Sequence, residues 1–126
     1  MTASSETPDS VVVPQSAPVA DPRDGVTLIN LYTVTPDLQA TLAEALSALM
    51  DEAVRIQPGF RSSRILRSLD GQTVASYAEW DSEADWKAMF RDAEVNRHME
   101  QVLKLANFQT KLYALCSSHT KAEPED

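Results

Sequence analysis

A single cysteine, Cys116, stands among 126 residues, so no disulfide can form within the chain. No Cys/His cluster has zinc spacing either, which leaves packing alone to hold the fold, and the length suits one core rather than two. Basic residues are scarce: 11 Lys and Arg face 19 Asp and Glu, for a net charge of -8 with His neutral. Nucleic acid is thereby excluded as the main partner, because phosphate binding draws its affinity from clustered cations and no cluster exists. Long hydrophobic runs are missing too. The stretch Ser10 to Ala20 is uncharged but contains Pro14, Gln15 and Pro18, with no cationic segment before it. It reads as neither signal peptide nor membrane span, and a cytoplasmic location is the expectation. A Gly-rich phosphate loop and paired catalytic carboxylates are also absent.

What remains divides into tails and a core. Residues 1–24 are rich in Ser, Thr, Pro, Ala and Asp without an aromatic residue, and residues 120–126 look the same. Both read as disordered tails, with Val11-Val12-Val13 as an alternative strand for a neighbour's sheet edge. The first tail carries four acids and one base and the second three acids and one base, leaving a net charge of only -3 on residues 25–119. The acidity belongs mainly to the ends, where it favours solubility.

Within 25–119, the β-branched and aliphatic run Val26 to Val34 has strand length. Thr35 then reads as an N-cap with Pro36 at the first helical position. Leu38, Leu42, Ala45, Leu46, Leu49, Ala53 and Ile56 form one apolar stripe, which Pro58-Gly59 ends. Phe60 to Ser68 and Gln72 to Trp80 make a hairpin around the three-residue turn Leu69-Asp70-Gly71. That turn pairs Leu66 with Val74, Arg64 with Ser76, Ser62 with Ala78 and Phe60 with Trp80 on a helix-covered face. Ile65, Ala75 and Tyr77 fall on the opposite face. Ser82 caps a short helix with Trp86, Met89 and Phe90 on its buried side. A third helix starts near Asp92 with the stripe Val95, His98, Met99, Val102 and Ala106, and Phe108 to Ser117 is the last strand, with Cys116 as a small apolar filler. The order β-α-β-β-α-α-β predicts an α+β, ferredoxin-like domain with a four-stranded antiparallel sheet. Helices on one face leave the other uncovered in a small core, so a homodimer is expected.

Several residues in this frame suit a small-molecule site. Arg64, placed inward beside Ser76, either holds a substrate carboxylate or enolate or pairs with an acid from a helix. His98 is the sole core histidine and the one general-base candidate with a near-neutral reference pKa, or else a hydrogen-bonded core residue. Asn30 interrupts an aliphatic run, with Tyr32 on its face, and either orients a ligand or bonds to backbone. Trp80 and Trp86 either line an aromatic-sized pocket or pack in the core.

The segments Val26-Thr-Leu-Ile-Asn30, Gln57-Pro-Gly-Phe60, Arg67-Ser-Leu-Asp-Gly71, Tyr77-Ala-Glu-Trp80 with Ser82, and His98-Met99 together resemble antibiotic biosynthesis monooxygenase (ABM) domains over residues 26–119. The resemblance implies a homodimeric α+β barrel, often cofactor-independent, whose members oxidise phenolic or anthrone-type polyketides to quinones, while related branches act on quinols or degrade haem. Trp80 corresponds to a pocket tryptophan of that family. Leu66 stands where a histidine is common, and Ser76 where an asparagine is common. The implied function is a cofactor-free monooxygenase in secondary metabolism using molecular oxygen. Trp80, His98, Ser76 and Arg64 are its catalytic candidates, and Asn30, Tyr32, Leu66, Trp86 and Phe90 its substrate-binding ones. A cyclase or isomerase without oxygen chemistry, and a non-catalytic carrier of a small ligand or of haem on His98, stay open as alternatives.

Overall fold

A computed structural model describes residues 25–122. The tail expectations for 1–24 and 123–126, including a strand at Val11–Val13, lie outside the described residues. The expected element order is present: β1 Val26–Thr33, α1 Gln39–Leu49, β2 Phe60–Arg67, β3 Thr73–Trp80, α2 Glu83–Ala88, α3 Ala93–Leu105 and β4 Asn107–Tyr113. The strands form one antiparallel sheet in the order β2-β3-β1-β4, with helices packed on one face. Among the described residues no helix is long and apolar enough to cross a membrane.

The core fills the space between sheet and helices. Leu28 and Tyr32 of β1 and Val74, Ala78 and Trp80 of β3 point into it, against Leu42, Leu46 and Leu49 of α1 and Val95 and Val102 of α3. Alternation along β3 is strict, as a half-covered strand requires. Both later helices start on side-chain caps, one on Ser82 as read from sequence and the other on Asp92, near which the third helix is expected to begin. Ser82 Oγ accepts from Asp85 N at 3.1 Å, and Asp92 Oδ1 accepts from Glu94 N at 2.9 Å and Val95 N at 3.1 Å.

The first helix departs from expectation at both ends. Thr35 is extended but its side chain caps nothing, and Pro36–Leu38 is a 3₁₀ turn. At the other end Met50–Val54 is a π turn, closed by Arg55 N donating to Met50 O at 3.0 Å. The wider turn rotates the residues beyond it about the helix axis. Ala53 and Val54 are buried, whereas Ile56, read as the end of the apolar stripe, is 73% exposed.

The hairpin differs by one residue. Ser68 N donates to Thr73 O at 3.0 Å, so the loop holds four residues, Leu69 to Gln72, rather than three. Asp70 Oδ1 shapes it by accepting from Ser68 Oγ at 2.7 Å and Gln72 N at 3.0 Å, and Gly71 supplies a φ of 80°. The register becomes Leu66 with Ala75, Ile65 with Ser76 and Arg64 with Tyr77, and a bulge between Phe60 and Ser62 restores the expected Phe60–Trp80 pair. One residue of slip exchanges the faces of β2. Ile65 packs against the core, while Arg64 and Leu66 are exposed on the uncovered face. The last strand stops at Tyr113, which leaves Cys116 exposed beyond it instead of filling the core.

Truncating the fully buried Leu46 to Ala should cost about 2–5 kcal/mol in urea unfolding. Ile56→Ala should cost less than about 0.5 kcal/mol if the π turn directs it outward. Equal losses would restore the uninterrupted helical stripe.

Candidate active site

Register assembles the polar part of the site. Ser76 of β3 and Thr110 of β4 are the cross-strand partners of Asn30 on its two sides, so three polar side chains form one row across three strands. Asn30 Nδ2 donates to Ser76 Oγ at 3.0 Å, and Thr110 Oγ1 donates to Asn30 Oδ1 at 2.5 Å. Tyr32, two residues along β1 and equally buried, bonds to both Ser76 and Asn30. Burial raises its phenol pKa above the ordinary value of 10.0, an effect partly offset by those two bonds. Its ring stacks on Phe108 at 5.1 Å. Tyr32 is therefore neutral near pH 7, a hydrogen-bonding group and not a base.

Next to this row lies a partly open, largely apolar cavity of about 40 Å³. Its floor is Leu28, Asn30, Ala78 and Trp80 from the central strands, with Phe108 and Thr110 from the edge strand β4. Leu49, Met50 and Val54 roof it from α1 and the π turn, and Met99 does so from α3. Trp86, Met89 and Phe90 close the remaining side, Trp86 meeting Phe90 edge to face at 5.6 Å. The indole N–H groups of Trp80 and Trp86 are buried and have no acceptor among the described residues. Unpaired buried donors are costly, and both of these belong to side chains that line the cavity. No Asp, Glu, His, Lys, Arg or Tyr side chain lines it.

The expected site residues divide accordingly. Asn30, Trp80, Trp86 and Phe90 line the cavity, and Ser76 and Tyr32 stand behind its floor in the same hydrogen-bonded cluster. Arg64 and Leu66 do not belong to this group, because the register slip puts them on the far side of the sheet. His98 is 8% exposed on α3, but its Nε2 lies 3.4 Å from Glu52 Oε1, outside hydrogen-bond geometry, and it does not line the cavity. Sequence reasoning missed Thr110 and Met50. Thr110 becomes legible only once β4 is registered on β1, and Met50 only once the π turn is known. Among the described residues no group of His, Cys, Asp and Glu is arranged to hold a metal ion.

The antibiotic biosynthesis monooxygenase family model matches residues 25–101. Tetracenomycin-F1 monooxygenase of Streptomyces glaucescens is 36% identical over 84 residues, 67% of this chain and 75% of that protein. The monooxygenase from ActVA-Orf6 of Streptomyces coelicolor, solved in complex with Nanaomycin D, superposes with a TM-score of 0.71 at 26% identity, covering 81% of this chain and 96% of that one. SnoaB, a cofactor-independent oxygenase from Streptomyces nogalater, shares the fold with a TM-score of 0.63 at 20% identity, over 78% of this chain and 99% of its own.

Tyrosinate absorbance should show one phenol ionising above the ordinary range, absent in Tyr32→Phe. Because the folded-state value is the raised one, the stability it carries is present below pH 10 and lost as pH rises through that higher value. A wild-type titration indistinguishable from the variant would contradict the buried cluster.

Proposed function

Because the chain belongs to the antibiotic biosynthesis monooxygenase family, we propose that its cavity binds an electron-rich, polyketide-like aromatic and catalyses its oxygenation without a cofactor. The observation that carries this is the pair of unpartnered indole N–H groups, Trp80 Nε1 and Trp86 Nε1, beside an apolar cavity with Asn30 in its floor. A phenolate or enolate oxygen satisfies such donors, and they hold developing negative charge best where water is excluded. Tetracenomycin-F1 monooxygenase supports an oxygenase of this kind, and SnoaB a cofactor-free one.

The reaction converts an activated CH₂ between aromatic rings to a carbonyl. One oxygen atom of O₂ enters the new C=O and the other leaves as water with the two hydrogens. The carbon is oxidised by four electrons and O₂ is reduced by four, so no outside reductant is required. The protein's part is to bind, to favour the carbanionic form of the substrate and to keep water away. No ionisable side chain lines the cavity, so Trp80, Trp86 and Asn30 act as hydrogen-bonding groups and the substrate's own acidity supplies the anion. A ring system needs more than about 40 Å³. Met50, Met89 and Met99 are the walls able to give, being unbranched and readily repacked.

The test is oxygen uptake and product mass together, with anthrone-type substrates and metal-free protein. Uptake with a gain of one oxygen and loss of two hydrogens is expected, falling roughly 10²-fold in Trp80→Phe. A product of unchanged mass in air and under nitrogen would replace oxygenation with cyclisation or isomerisation.

The same reading includes a homodimer. The uncovered sheet face carries Ile29, Leu31, Leu66, Ala75 and Tyr77 between Arg64 and Lys111, and Leu31 and Leu66 are about half exposed. A second copy brings an identical apolar strip, which a closed two-fold pairing buries once on each side. Sedimentation should give a dimer at micromolar concentration and a monomer for Leu31→Lys. A wild-type monomer would contradict the pairing.

A further inference from the structure

We infer that Thr110 is a specificity-determining residue, presenting a hydrogen-bond acceptor that selects aromatic ligands carrying a free hydroxyl; the inference rests on the cavity being an aromatic-ligand site, as proposed above. The argument begins with the Asn30 carboxamide, whose two ends have different neighbours. Its NH₂ end donates to Ser76 Oγ at 3.0 Å, with the Tyr32 phenol in the same cluster. Its carbonyl end meets one hydroxyl, that of Thr110 at 2.5 Å, which offers one hydrogen. Donors and acceptors match in this orientation. The single Thr110 hydrogen is thereby committed to Asn30 Oδ1, and lone pairs are all its oxygen has left to offer.

Thr110 lines the cavity from the edge strand, and its neighbour on that wall, Phe108, is apolar. The unpartnered polar groups among the other lining side chains are the indole N–H of Trp80 and of Trp86, which are donors only. The cavity is thus polarised: it donates at the tryptophan side and accepts at the β4 edge. A ligand that satisfies both has a carbonyl or oxyanion on one part of its ring system and a free hydroxyl on another. Thr110 also lies beyond the residues matched by the family model, which end at 101.

Binding without turnover tests this, read by quenching of tryptophan fluorescence. The probes are 2-hydroxyanthraquinone and unsubstituted anthraquinone, which differ by one hydroxyl and present the same carbonyls. Wild-type protein should bind the hydroxylated probe roughly tenfold more tightly. Thr110→Val, isosteric and well suited to an edge strand, should abolish that preference, and Thr110→Ser, which keeps the hydroxyl that donates to Asn30 Oδ1, should retain it. If both probes bind wild type equally, or the preference survives in Thr110→Val, the inference is overturned and the aromatic-site reading stands. If neither probe binds wild type, the aromatic-site reading fails and the inference falls with it.

Discussion

The continuous pairing of β1 with β3 on one side and β4 on the other is the constraint on which the site depends. It brings together Ser76, Asn30 and Thr110, with Asn30 lying 46 residues from Ser76 and 80 from Thr110 along the chain. A one-residue slip in either ladder would send one of these side chains to the other face and leave one end of the buried Asn30 amide without its partner. The cluster and the sheet register therefore specify each other. Asn30 and Ser76 are buried, and the bond between them rewards one pairing of β1 with β3 and penalises the rest.

Around that fixed floor the cavity is built from softer parts. Three methionines from three separate segments line it, and Trp86 and Phe90 come from a short helix and the 3₁₀ turn after it. A rigid sheet that sets polar contacts, beneath walls that repack easily, suits a ligand recognised by a few oxygens and a large flat apolar surface. The π turn belongs to this arrangement, since it places Met50 and Val54 on the cavity and ends the regular stripe of α1 beside it.

Much of this was legible in the residues. The Ser82 cap, a helix start near Asp92, the stripe of α3 and alternation along β3 are local signals, and local signals survive folding. Asn30, Trp80 and Trp86 were legible for a similar reason, each being a polar or oversized side chain in an apolar setting. The failures came where one residue of uncertainty is amplified. Three- and four-residue loops both fit Leu-Asp-Gly-Gln, yet the choice between them moved Arg64 and Leu66 out of the site and Ile65 into the core. Periodicity put His98 on a buried face without saying which neighbour it meets there, and that neighbour is Glu52. Thr110 had no signal of its own in a strand of alternating polar and apolar residues.

The central claim is that the indole donors of Trp80 and Trp86 await an acceptor on an aromatic ligand. The direct measurement is the pair of indole ¹⁵N–¹H resonances during titration with 2-hydroxyanthraquinone. Downfield movement of both indole protons, saturating together, is the predicted result, because each N–H gains an acceptor that it lacks in the free protein. Indole resonances that stay in place while the ligand binds would contradict the account and put recognition elsewhere on the chain.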